Sequence, residues 1–178
     1  MLCVKCDDDG LEKTAEALLS GAVAVIPTDT VYGLAAHPGK ADAVERLYSI
    51  KGRDRSKPIA LLASGFEAAA AFAGGITGKA AEMARARWPG AFTLVVGAEG
   101  FRVPDHEWTR RLLEKCGGLL RVTSANISGE SPAVDAQSAV EQVGRLADVV
   151  VDGGRSPGGV PSSVVRVFAD GGVEILRP

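Results

Sequence analysis

Ala22-Val23-Ala24-Val25-Ile26-Pro27-Thr28-Asp29-Thr30-Val31-Tyr32-Gly33-Leu34 is the stretch on which the reading of the fold turns. Its first five residues are all apolar and lie between Gly21 and Pro27. So short a run, closed by turn formers, predicts a strand buried on both faces. Strands of that kind sit in sheets covered by helices on either side. The polar triplet Thr28-Asp29-Thr30 follows at once. Ligands in α/β sheets gather beyond the carboxyl ends of strands. The same residue types also cap helices and close turns, so the triplet alone fits a site or a cap.

Working outward, strands and helices alternate. Leu11, Ala15, Leu18 and Leu19 stripe a helix that stops at Gly21. Val44, Leu47 and Tyr48 mark a helix over 41–51, followed by a buried strand over 59–62. Helices are predicted near 66–72 and 78–88, with Ala80, Met83, Ala84 and Trp88 on one face of the second. Phe92 to Val96 reads as a strand, and Trp108, Leu112, Leu113 and Cys116 stripe the next helix. Strands are expected at 119–122 and 149–151, with a helix carrying Ala136, Val140 and Val143 between them. Residues 163–168 and 173–176 read as closing strands, a hairpin around Asp170-Gly171-Gly172. The pattern predicts an α/β fold with a mixed sheet flanked by helices. No repeat or linker divides the 178 residues, so 1–178 is read as one domain.

Composition narrows the function classes. The net charge is −2 and the isoelectric point about 5.7, so no overall basic field draws nucleic acid; weak RNA binding would need a local patch. No apolar run approaches the roughly 20 residues that cross a bilayer, so no membrane association is expected. The N-terminus runs from Met1-Leu2-Cys3-Val4-Lys5 into Asp7-Asp8-Asp9 without a signal-peptide core, and a cytoplasmic location is expected. Three cysteines suit a reducing compartment. Cys3 and Cys6 form a lone Cys-x-x-Cys with no second pair for a zinc ribbon, and Cys116 fits a helix face.

The chemistry concentrates in a few segments. Lys51, Arg53, Arg55 and Lys57 place four cations in seven residues against one anion, Asp54. Pro58 disfavours helix at Lys57, so the helix should end near Lys51 with the cations at its end and in the loop beyond. Such a run is either a solvated helix terminus or an anion-binding loop between core elements. Arginine grips phosphate or carboxylate with two parallel hydrogen bonds, whereas lysine acts as a point charge. Thr123-Ser124-Ala125-Asn126-Ile127-Ser128-Gly129 offers hydroxyls and an amide after a strand. Ser162 and Ser163 follow the glycine-rich loop 152–159, and Arg102-Val103-Pro104 adds another cation. His37 and His106 are the two histidines, each better read as a packing or surface residue than as a catalyst. No phosphate-loop or dinucleotide-binding glycine motif is present, and no Ser-His-Asp order stands out.

These segments carry a resemblance. Residues 27–34, Lys51-Gly52-Arg53, Trp88-Pro89-Gly90 with Thr93-Leu94, Arg102-Val103-Pro104, Ser124-Ala125-Asn126 with Ser128-Gly129, and Asp152-Gly153-Gly154 leading to Ser162 resemble, in order, the YrdC/Sua5 family of threonylcarbamoyl-AMP synthases. The resemblance spans about residues 10–178, and the Lys-x-Arg and Ser-x-Asn pair is its most specific part. It implies a YrdC-like (DHBP synthase-like) twisted sheet with a basic concave face, in a short form without a C-terminal domain. It also implies an enzyme that joins L-threonine, bicarbonate and ATP into threonylcarbamoyl-AMP, releasing pyrophosphate. The product would supply tRNA-modifying machinery that makes threonylcarbamoyladenosine at position 37. By the same resemblance, Thr30, Arg102 and Ser162 would hold threonine. Lys51, Arg53, Lys57, Ser124, Asn126 and Arg177 would line the ATP, and Mg²⁺ would accompany it without a dedicated protein metal site. Such chemistry needs positioning and charge stabilisation rather than a protein nucleophile.

Three positions depart from the family pattern. Leu62 stands where many relatives place a threonine-contacting histidine, Pro161-Ser162-Ser163-Val164-Val165-Arg166 replaces a Glu-Ser-Thr-Val-Val-Asp segment, and Ala91 replaces a proline. They bear on the amino-acid site more than on the phosphate site. An RNA-binding module and a carbamoyl-adenylate-forming domain are the alternative readings.

Overall fold

Uniformly apolar strands demand cover on both faces, and the computed structural model, which describes residues 1–178, supplies it. Ten strands form one sheet: β1 (Leu2–Lys5), β2 (Ala24–Ile26), β3 (Gly33–Ala36), β4 (Leu61–Ala63), β5 (Phe92–Val96), β6 (Glu99–Arg102), β7 (Leu119–Ser124), β8 (Val149–Asp152), β9 (Ser163–Val167) and β10 (Val173–Arg177). Their order across the sheet is β1-β8-β2-β3-β7-β4-β6-β5-β9-β10. Pairs β1–β8, β2–β8, β4–β6 and β5–β9 are parallel, and the other five antiparallel. The helices are α1 (Asp8–Leu19), α2 (Ala41–Lys51), α3 (Phe66–Ala73), α4 (Gly78–Arg87), α5 (Glu107–Lys115) and α6 (Ala136–Gln142).

The period of two along β2 sorts its side chains. Ala24 and Ile26 pack with Leu11 and Leu18 of α1 and Leu112 of α5. Val23 and Val25 pack with Leu34, with Leu47 of α2 and with Ala139 of α6. Both faces of the strand are thus buried, which is why the stretch carries no polar residue. A third core joins Leu61, Ala63, Leu94 and Phe101 to α3 and α4. Burying a leucine fully contributes about 1.5–3 kcal/mol, so these three clusters are the main favourable term holding the sheet.

The predicted α/β mixed sheet is present, with α2 over 41–51, β5 over 92–96 and a β9–β10 hairpin. Helix α2 ends at Gly52, which takes the left-handed conformation (φ 59°) that glycine adopts without penalty. Strands β1, β3 and β6 were not anticipated. β1 is mostly exposed at the sheet edge. β3 is Gly-Leu-Ala-Ala, poor in the β-branched and aromatic residues that mark strands. β6, Glu-Gly-Phe-Arg, has no alternation long enough to read. Leu19 is 43% exposed rather than part of the buried stripe, because α1 ends there.

One row of the sheet fixes the geometry that matters. Ile26 pairs with Gly33, and Gly33 pairs with Ser124. The 27–32 segment and the 124–130 turn therefore leave the sheet side by side. Gly33 permits this: a Cβ there would lie 2.6 Å from Cγ1 of Val122. We expect Gly33→Ala to cost about 1–3 kcal/mol by overpacking, measured by denaturant unfolding. Adding Val122→Ala should cost much less than its effect in the wild-type background. Fully additive losses would show that the close approach is not the cause.

Candidate functional site

The segment after β2 is pinned at each residue. The carbonyl of Pro27 accepts from the Thr109 hydroxyl of α5 (2.7 Å). The Thr28 hydroxyl donates to the Val31 carbonyl (2.6 Å) and accepts from the Thr30 amide (3.1 Å). The two hydroxyls of Thr28 and Thr30 lie 3.1 Å apart; since the Thr28 proton is already placed, Thr30 donates. The loop between β8 and β9 straps over the segment from outside. Gly158 and Gly159 amides donate to the carbonyls of Asp29 (3.0 Å) and Thr30 (2.8 Å). A Cβ on Gly158 would meet the Asp29 carbonyl oxygen at 2.7 Å, so only glycine lets the strap approach this closely.

Arg102, at the end of β6, reaches into this segment. Its Nε donates to the Gly90 carbonyl (3.0 Å), one terminal nitrogen to the Thr30 hydroxyl (2.8 Å), and the other pairs with the Asp29 carboxylate. The Arg102 and Asp29 side chains are only 8% and 11% exposed. Burial pushes the guanidinium below its usual range, and Asp29 pulls it back up. A guanidinium has five N–H donors, so two remain for a ligand. Next to it, the Ser162 hydroxyl lies 2.8 Å from that of Thr93 on β5. Arg177 of β10 donates from Nε to the Ser162 carbonyl (2.8 Å). Burial holds the Arg177 guanidinium down, and Arg102 and Arg53 push it further. Arg102 and Arg53 therefore lie close enough to Arg177 for their charges to act on it.

At the other end of the cleft, Lys51 is 2% exposed. Its ammonium donates to the carbonyls of Ser124 (2.5 Å) and Asn126 (2.6 Å) and to Asn126 Oδ1 (3.2 Å). All three ammonium donors thus go to the loop after β7. Burial, and next the Arg53 charge, push the Lys51 pKa down to about 8. Asn126 is spent as well, its amide donating to the carbonyls of Ile127 (2.9 Å) and Glu130 (2.8 Å). Lys51 and Asn126, expected beside phosphates, here shape the turn that presents Ser124, whose hydroxyl has no partner within the protein. Arg53 is anchored through the carbonyls of Lys57 (2.9 Å) and Pro58 (3.2 Å), with one terminal nitrogen left over. Lys57 itself stands exposed at the rim.

The structure thus joins Thr30 to Arg102, Ser162 to Arg177, and Lys51 to Asn126 and Ser124, with Arg53 between the groups. Sequence reasoning missed Asp29 as the partner of Arg102, because an Asp in a Thr-Asp-Thr turn reads as a cap. It named Thr93 only within a matching segment and gave it no role, although its signal was a lone hydroxyl within an apolar strand. Leu62, paired in register with Arg102, lies buried against Trp108 and Leu112. His106 caps α5, its Nδ1 lying 2.9 Å from the Thr109 hydroxyl, and burial lowers its pKa. The protein has no cluster of three or more His, Cys, Asp or Glu arranged to hold a metal ion.

Removing one partner of a buried ion pair leaves an uncompensated charge. We expect Asp29→Asn to destabilise the fold by about 3–5 kcal/mol in denaturant unfolding; a loss below about 1 kcal/mol would mean that Thr30 and Gly90 suffice for Arg102.

Comparison with known proteins shows the family. The Sua5/YciO/YrdC family model, described as telomere recombination, matches residues 16–178. A Mycobacterium tuberculosis relative is 34% identical over 183 residues, covering 95% of this chain and 83% of the relative. The threonylcarbamoyl-AMP synthase of Bacillus subtilis is 31% identical over 188 residues, covering 97% of this chain and 54% of that protein. The crystal structure of P. abyssi Sua5 complexed with L-threonine superposes with a TM-score of 0.89 at 28% identity, covering 99% of this chain and 56% of that one. The chain thus spans little more than half the length of these last two proteins. On the extent of the family match and the shared fold, the chain belongs to the Sua5/YciO/YrdC family.

Proposed function

We propose that the chain is a nucleotidyltransferase that forms L-threonylcarbamoyl-AMP and pyrophosphate from L-threonine, bicarbonate and ATP. The observation that carries this reading is the bonding of Arg102 to the Thr30 hydroxyl and of Arg177 to Ser162, with Arg53 close enough for its charge to act on Arg177. A carboxylate and a polyphosphate both need such charge, and a hydroxylated amino acid needs the hydroxyls. The complex of the P. abyssi protein with L-threonine and the synthase activity in the name of the B. subtilis protein support the same assignment.

Arg102 has two N–H donors left for the threonine carboxylate, and its orientation is set by Asp29, Thr30 and Gly90. Thr30 and Ser162 supply hydrogen bonds to the substrate hydroxyl. The amine of threonine attacks bicarbonate, forming a carbamate and releasing water. A carbamate oxygen then attacks the α-phosphorus of ATP, and the bond to the β-phosphate oxygen breaks as pyrophosphate leaves. No protein atom bonds covalently to substrate. Arg53, Arg177 and the Ser124 hydroxyl face the phosphates, with Lys51 contributing its charge from behind the Ser124 turn. The protein's contribution is orientation and stabilisation of charge on the transferring group. Mg²⁺ fits as a companion of ATP held through the phosphates, where it neutralises charge; Asp29, the carboxylate in this cleft, is committed to Arg102. The adenylate, an activated carbamoyl donor, would pass to tRNA-modifying machinery.

The test is pyrophosphate release with each amino acid in turn, with the product identified by mass. Threonine- and bicarbonate-dependent release of threonylcarbamoyl-AMP is expected. ATP binding that is lost on Arg53→Ala, with no release for threonine, would overturn the amino-acid assignment. The Lys51 pKa of about 8 sets a pH dependence. As pH rises through 8 the ammonium loses its proton, so ATP affinity should fall between pH 7 and about 9. Lys51→Met should start weaker and show no step in that window; an unchanged step would assign it elsewhere.

A further inference from the structure

On the other side of β6 from the Arg102 cleft lies a second cleft, of about 600 Å³, bounded by residues that include Gly65, Phe66, Arg85, Trp88, Val103 and Arg110. Its position follows from topology. β4 and β6 are parallel neighbours. The chain leaves β4 for α3, which packs on the Leu61 and Ala63 face. It leaves β6 for α5, which packs on the Leu62 face. Two parallel neighbours whose connections depart to opposite faces open a crevice at their carboxyl ends, where α/β sheets bind ligands.

The walls have a definite chemistry. The Arg85 guanidinium lies 4.0 Å above the centre of the Phe66 ring, and the Phe66 and Trp88 rings are 6.4 Å apart at 54°. Arg85 is exposed and forms none of the protein's ion pairs. Arg110 uses one terminal nitrogen on Pro104 and Asp105 (both 3.2 Å), leaving its other donors directed by no protein partner. Helix α3 begins here without a side-chain cap, which adds free amide donors to the arginines. A stacked guanidinium–aromatic wall suits the flat face of a base, and guanidiniums suit phosphate. The volume falls within the range of about 300–1,000 Å³ usual for small-molecule sites.

We propose that this cleft is a second nucleotide site, binding a nucleoside phosphate with its phosphate at Arg110 and the start of α3 and its base against Arg85, Phe66 and Trp88. It is separate from the cleft that holds Arg102, and only the other AMP counted below rests on the proposed reaction. The probe is AMP, titrated calorimetrically into the full chain, with inorganic phosphate as competitor. Two AMP molecules per chain are expected for the wild type, and one for Arg85→Ala, whose pyrophosphate release and melting temperature stay unchanged. Arg53→Ala should keep the site that Arg85→Ala removes, and Trp88 fluorescence should respond on its filling. Phe66→Leu, which retains apolar volume while losing the ring, should weaken that site at least tenfold. A single AMP lost on Arg53→Ala and insensitive to Arg85→Ala would overturn the proposal. Inorganic phosphate competing as strongly as AMP would overturn it too, because no base would then be recognised.

Discussion

A guanidinium taken out of water must be met on several sides, and Arg102 is the place where this requirement organises the molecule. Its partners come from two separate parts of the chain: the carbonyl of Gly90 in one, and the hydroxyl of Thr30 with the carboxylate of Asp29 in the other. Each is displayed by a backbone held for that purpose. The Gly90 turn is fastened back to β6 by the amide of Gly90 on the Val103 carbonyl. The 27–31 segment is fastened by Thr28 from within, by Thr109 from α5 and by the glycine strap from outside. Desolvation of the charge is costly without such partners. Their cost in conformational freedom is spread over the loop, the sheet and the strap.

The second cationic centre works by a different rule. Lys51 delivers its ammonium to three oxygens of one short turn, so a charge is used to bend backbone. Carbonyls drawn inward toward Lys51 leave the Ser124 hydroxyl outward and unpartnered. In this chain Lys51 and Asn126, read in the sequence as phosphate-site residues, are therefore in good part a folding device. The side chains left open to a ligand are Arg53 and Ser124, while Lys51 and Asn126 make the geometry in which those two can act.

Much of this was legible in the residues. Apolar runs such as 22–26 specify strands covered on both faces, and the Pro58 signal placed the end of α2 correctly. β3 was not legible because its identity rests on what packs against it. Gly33 stands in that strand because Val122 leaves no room for a Cβ. In the site, residue types named the chemistry but not the pairings. Ser162 and Thr93 lie 69 residues apart in sequence and 2.8 Å apart in space, and nothing in a single sequence links them. Asp29 was hidden by its own versatility, since the same carboxylate that would cap a helix instead neutralises Arg102.

The strap over residues 29 and 30 separates two stabilities. The sheet is closed by strand ladders and three apolar cores, whereas the cleft is closed by bonds between residues far apart in sequence: Asp29 to Arg102, Tyr32 to Gly153, Lys51 to Asn126. Contacts of such long separation form late in folding, after the loops between them have been closed. The strand ladders can therefore form before the cleft closes, so the sheet and the cleft rest on different sets of contacts. A ligand that bridges Arg102 and Thr30 would add one more long-range contact to the second set and act, for the strap, as the last piece of its fold.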